Sequence, residues 1–102
     1  MNWPEQIDIQ GTIWTLDIRR IGEDRPPVDC YGEMDNTIHE ISLYLTGQDV
    51  EDMDTFIHEV LEAGIRQGLD IGTYDENQKE IRIRGIARLL AQVLVKNELV
   101  KT

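Results

Sequence analysis

Residues 38–68 read IHEISLYLTGQDVEDMDTFIHEVLEAGIRQG, and the period of the apolar side chains changes partway along the segment. Before Thr46, Ile41, Leu43 and Leu45 share one face and alternate with Glu40, Ser42 and Tyr44, the period of two of a half-buried strand. After Thr46, Val50, Met53, Ile57, Val60, Leu61 and Gly64 recur at three and four residues, the period of an amphipathic helix. Thr46 or Asp49 is placed to cap that helix and Gly68 to stop it, which predicts a strand over 38–45 and a helix over 49–68.

The same two periods extend outward. Upstream, Trp14, Leu16 and Ile18 alternate with Thr15, Asp17 and Arg19, predicting a strand over 12–20. Residues 22–27 form a polar loop whose adjacent Pro26 and Pro27 forbid regular pairing. A short strand is expected over 28–34, turning at Asp35-Asn36 into the strand over 38–45. Downstream, a connection over 69–74 contains Gly72, and Asp75 followed by Gln78 has the form of a capping box. It opens a second helix over 76–97 whose apolar stripe is Ile83, Ile86, Leu90, Val93 and Leu94, with Gly85 as an internal weak point. Together these elements predict an α+β fold, a three-stranded antiparallel meander followed by two packed amphipathic helices.

At 102 residues the chain is expected to be one domain. Cys30 is its only cysteine, which excludes an intrachain disulfide and a thiolate metal cluster and suits a reducing compartment. With neither a basic, apolar leader nor a bilayer-length apolar run, the expectation is a cytoplasmic protein without membrane association. Twenty acidic residues against ten basic ones give a net charge of −10, which repels nucleic-acid phosphates and argues against direct nucleic-acid binding. Solubility accounts for such a surface; so does attraction to a cation, whether a metal ion or a basic protein.

The chemistry-bearing segment is Thr55-Phe56-Ile57-His58-Glu59-Val60-Leu61-Glu62-Ala63. At about 100° per residue, His58 and Glu62 lie about 40° apart on neighbouring turns, at the border of the apolar face. Glu59 is displaced by about 100° from His58. In the HExxH zinc motif, two ligands one turn apart hold the metal and the intervening glutamate serves as base. Here the second histidine is replaced and the motif reads HExxE. Such a tetrapeptide also arises on exposed helices by composition alone, and His39-Glu40 is a second His-Glu pair in a strand.

The surrounding order adds to this helix. Tyr31-Gly32-Glu33-Met34-Asp35 precedes it, and Glu80 and Asn97-Glu98-Leu99 lie near the two ends of the second helix. Over residues 12–100 this arrangement resembles the minimal gluzincin-like metallopeptidases of about a hundred residues and their phage-encoded relatives. That resemblance implies a minimal zincin-like fold, with the sheet over the first helix and a cleft beside its lower edge. It implies His58, Glu62 and Glu80 as metal ligands and Glu59 as the catalytic base. It implies a divalent metal as cofactor, a peptide or protein as partner, and the host cytoplasm as location if phage-encoded.

Glu80 falls about 20° from Ala87 on the wheel, at the edge of the apolar stripe. An acid there is equally at home in a solvated first turn, stabilised by the helix dipole. Glu62 departs from the family pattern. Two carboxylates and one imidazole make a harder, more negative site than two imidazoles and one carboxylate, favouring manganese or iron in competition with zinc. The alternatives are a metal-free, inactive relative, an acidic accessory protein that binds and inhibits a host protein, or a small structural component. Cys30 is expected as a buried strand residue, His39 on a sheet face, and Trp3 and Trp14 are too isolated for a base-stacking platform.

Overall fold

A computed structural model describes residues 2–20, 31–72 and 75–100. The expected loop over 22–27, the start of the strand expected over 28–34, Cys30 and Tyr74 lie outside the described residues. The class is α+β. The elements are β1 (Gln6–Ile9), β2 (Thr12–Arg20), β3 (Gly32–Asp35), β4 (Glu40–Leu45), α1 (Asp49–Arg66) and α2 (Glu76–Lys96).

The sheet corrects the expected meander in two respects. Among the described residues it has four strands, in the order β1-β2-β4-β3, and it is mixed. The additional strand, β1, forms a hairpin with β2 in which Ile9 pairs Thr12. Its two-residue loop, Gln10-Gly11, has positive φ at both positions, and the Asp8 side chain accepts a hydrogen bond from Gly11 N at 2.7 Å. Those angles fit the primed turns that match strand twist, but the loop lacks the usual Asn or Asp. The second correction concerns pairing. β4 inserts between β2 and β3, running parallel to β2 with Leu16 against Ile41, and antiparallel to β3 with Met34 against Ile41. Among the described residues β3 is the edge strand.

Trp14, Leu16, Ile41 and Leu43 are buried on the face that meets α1. α1 contributes Phe56, Val60 and Ala63 to this core, and its opposite side, with Met53 and Ile57, receives α2. α2 packs on α1 and not on the sheet, so α1 is the middle layer. The face of α2 that meets α1 is Ile83, Ala87 and Ala91, all fully buried. Ile86, Leu90 and Val93, expected in the buried stripe, lie on its exposed shoulder because the close helix crossing is built on the two alanines.

Both ends of α1 are tied by side chains. Its N-cap is Gln48 without a side-chain bond, not Thr46 or Asp49. The buried Asp52 carboxylate instead accepts hydrogen bonds from Thr46 N and Thr46 Oγ1 at 2.8 Å and from Gly47 N at 3.2 Å, fixing the β4–α1 connection. At the other end, Trp14 Nε1 donates to Gln67 Oε1 at 2.6 Å and Gln67 Nε2 donates to the Ile9 carbonyl at 2.7 Å. α2 starts as expected, with the Asp75 side chain accepting from Asn77 N and Gln78 N. Arg88 then joins the helices, donating to Glu51 at 2.7 Å and Asp54 at 3.4 Å. These ties fix the rotation of α1 and α2 about their axes.

Candidate metal centre

The α1 rotation that buries Met53, Ile57 and Ala63 leaves His58 and Glu62 half-buried at the boundary between helix and cleft, one turn apart. Glu80 enters from the first turns of α2. His58 Nε2 lies 3.9 Å from Glu62 Oε1 and 3.9 Å from Glu80 Oε2. One donor atom from each of the three residues falls within 4.8 Å of the other two. A tetrahedral ion with ligand bonds of about 2.0–2.2 Å requires donor atoms about 3.3–3.6 Å apart, so the group must draw closer by roughly an ångström to ligate. The three residues therefore fit a divalent ion, and nothing in the donor set selects a particular metal. Glu80, for which a solvated first-turn position was the alternative, faces His58.

The electrostatics of the group follow from its two carboxylates, Glu62 and Glu80, held in a small volume with Glu59 beside them. Glu62 has its pKa raised by burial first, then by a hydrogen bond with the Glu80 carboxylate and by that group's charge, with Lys79 and Arg66 opposing. At 3.9 Å, neither His58 contact is itself a hydrogen bond.

Glu59 stands beside the three, displaced around the helix from His58 as the wheel requires, in contact with the edge strand. Its carboxyl is pushed up to about 7, by burial first and then by the charges of Glu62, Glu33 and Glu80. A carboxylate tuned near neutrality is suited to accept and return a proton. A divalent cation held by its neighbours would oppose the Coulomb part of that rise.

Two residues that the sequence reading left without a role complete the surroundings of Glu59. Gly32 sits where β3 crosses α1: a Cβ built there would lie 2.7 Å from Thr55 Cγ2 and 3.0 Å from Glu59 Cγ. Only glycine lets the edge strand approach this closely, and a glycine inside a strand is the sequence signal that marks such a place. Glu33, the next residue, supplies one of the charges that raise Glu59. Clefts open on both sides of the His58–Glu59 pair. One, of about 710 Å³, is lined by β3, β4 and α1, including Glu33, Asp35, Glu40, Glu62 and Arg66. The other, of about 760 Å³, lies between α1 and α2 and includes Tyr31, Asp54, Thr55, Glu80, Arg84 and Arg88.

The other polar residues considered from sequence lie elsewhere. His39 sits in the turn before β4 with its ring 5.0 Å from that of Trp14, and it takes no part in the three-residue group. Trp3 packs edge-on against Phe56. No helix among the described residues is long and apolar enough to cross a membrane. Comparison with protein-family models, curated proteins and solved structures finds no match.

Proposed function

We propose that this chain is a divalent-metal-dependent hydrolase of the minimal metallopeptidase type, with low intrinsic activity toward peptides. The observation that carries the reading is the convergence of His58 and Glu62 from α1 with Glu80 from α2, with Glu59 beside them. His58, Glu62 and Glu80 would hold the ion, which when bound supplies Lewis acidity toward a carbonyl. Glu59 takes a proton from the attacking water and delivers it to the leaving amine. Gly32 admits the backbone of the edge strand against Glu59, and the outer edge of β3, which pairs with no other strand among the described residues, is the side along which an extended peptide would lie. The second carboxylate, Glu62, offsets more of the metal's charge than an imidazole does, which weakens zinc selectivity and lowers the expected rate.

A second reading, a metal-free acidic protein that occupies a host protein, is favoured by the closeness of Glu62 and Glu80, which raises Glu62 and so lets a proton stand in for a metal's charge. Metal analysis of protein purified without chelator, followed by peptide hydrolysis in Mn²⁺ or Zn²⁺, separates the two. The hydrolase reading requires bound metal and slow cleavage that Glu59→Gln abolishes without loss of metal. A protein that takes up no divalent ion refutes it.

A further inference from the structure

The two clefts that meet at His58 and Glu59 differ in charge. On the β3 side, Glu33, Asp35, Glu40 and Glu62 line the cleft with a single guanidinium, Arg66, and Asp35 stands directly across from Glu40 in the β3–β4 register, a like-charge pairing. On the α2 side the cleft carries two guanidinium groups, Arg84 and Arg88, beside Asp54 and Glu80, with Glu59 common to both clefts. Arg88 is committed to Glu51 and Asp54. Arg84 is not. Its Nε lies 3.9 Å from Glu80 Oε2, too long for a hydrogen bond, and its side chain is 75% exposed. The Arg84 donors therefore meet no hydrogen-bond acceptor among the described residues, one helical turn from a candidate metal ligand.

From this geometry, and resting on the hydrolase reading for the identity of the neighbouring centre, we infer that Arg84 anchors a carboxylate of the ligand on the α2 side of the site. A guanidinium presents paired N–H donors in the plane that a carboxylate requires, and such pairs are short and orienting. Elsewhere the molecule disfavours an anion. Its net charge is −10, and in the opposite cleft the one guanidinium, Arg66, is outnumbered by Glu33, Asp35, Glu40 and Glu62, which repel a carboxylate at close range. An anionic group is therefore steered to Arg84, while the amino-terminal or cationic part of the same ligand is steered toward Glu33 and Asp35. That polarity matches a short peptide lying across the centre with its carboxylate toward α2. The carboxylate has two sources, the free chain end or an Asp or Glu side chain.

Three tetrapeptide probes distinguish them: N-acetyl-tetraalanine as the free acid, the same peptide as the C-terminal amide, and an amidated version with glutamate last. Each is titrated into the intact protein with and without Zn²⁺, which is diamagnetic, following the Arg84 Nε–Hε resonance by ¹⁵N NMR, and Zn²⁺ uptake is measured separately on the same samples. The free acid is expected to bind about tenfold more tightly than the plain amide and to shift the Arg84 resonance. Arg84→Gln should erase that difference and Arg84→Lys should restore part of it. If the amidated glutamate peptide matches the free acid, the anchor reads any carboxylate; if it matches the plain amide, the anchor reads the chain end. Equal binding of acid and amide, a preference that survives Arg84→Gln, or no binding by any probe overturns the inference. Zn²⁺ uptake alone decides the metal reading, so failure of the anchor and failure of the metal centre are told apart.

Discussion

Replacing Glu59 with glutamine should stabilise the metal-free protein, by an amount set by pH. In the folded chain the Glu59 carboxyl is pushed up from its ordinary 4.5 to about 7. Below pH 4.5 both folded and unfolded states carry the proton, and Glu59 imposes no ionisation penalty. Between 4.5 and 7 the unfolded chain has lost the proton and the native state retains it, so native stability falls as pH rises. Above 7 both states are ionised and the penalty is complete. Each tenfold change in proton affinity is worth about 1.4 kcal/mol, and allowing for salt screening of the Coulomb part, the full penalty is about 2–3 kcal/mol. Glutamine keeps the shape and removes the ionisation. Urea unfolding in the presence of EDTA should therefore show Glu59→Gln more stable than the parent by about 2–3 kcal/mol at pH 8, with that advantage gone at pH 4. Taking the difference between variant and parent at each pH cancels the general self-repulsion of a chain with charge −10. A difference that does not vary with pH, or a loss of stability at pH 8, would refute the burial and charge assigned to Glu59.

Other substitutions probe the frame around the centre. Glu62→His places a neutral nitrogen at the same helical position and should tighten Zn²⁺ by roughly tenfold or more, measured by calorimetric titration at fixed pH and salt. Unchanged or weaker zinc binding would remove Glu62 from the ligand set. Gly32→Ala drives a Cβ toward Thr55 and Glu59 and should cost about 1–3 kcal/mol in thermal unfolding, with no cost expected if β3 stands clear of α1. Asp52→Ala leaves Thr46 N and Gly47 N without their acceptor and should cost about 2–3 kcal/mol in urea unfolding. A neutral outcome would show that water substitutes for the carboxylate.

The parts of the fold that were legible in sequence are those with a strong local period. β2, β4 and both helices stand where alternation or three-and-four spacing places them. The sheet topology was not legible because period identifies strands and not their partners. Consecutive strands were expected to pair in sequence order, yet β4 enters between β2 and β3. β1 escaped because it has only four residues and its turn is Gln-Gly, weaker punctuation than Asn-Gly. On α2, weighting large side chains placed Ile86, Leu90 and Val93 inside, whereas the helices touch through Ala87 and Ala91, where small residues permit close approach. The candidate site was legible to the extent that it is helical. Spacing of four brings His58 and Glu62 together whatever the tertiary arrangement, while the approach of Glu80 depends on how α2 lies across α1. The part supplied by tertiary structure alone, Gly32 against Glu59, joins residues more than twenty apart in the chain, whereas Arg84 beside Glu80 follows from the same helical spacing of four.

The most direct test of the metal centre is a calorimetric titration of chelator-stripped protein with Mn²⁺ and with Zn²⁺, beside His58→Ala and Glu80→Gln. One ion bound per chain, with binding lost in His58→Ala and weakened in Glu80→Gln, is the predicted result. No heat of binding in the parent protein, or equal binding in His58→Ala, would contradict the assignment of His58, Glu62 and Glu80 as a metal site.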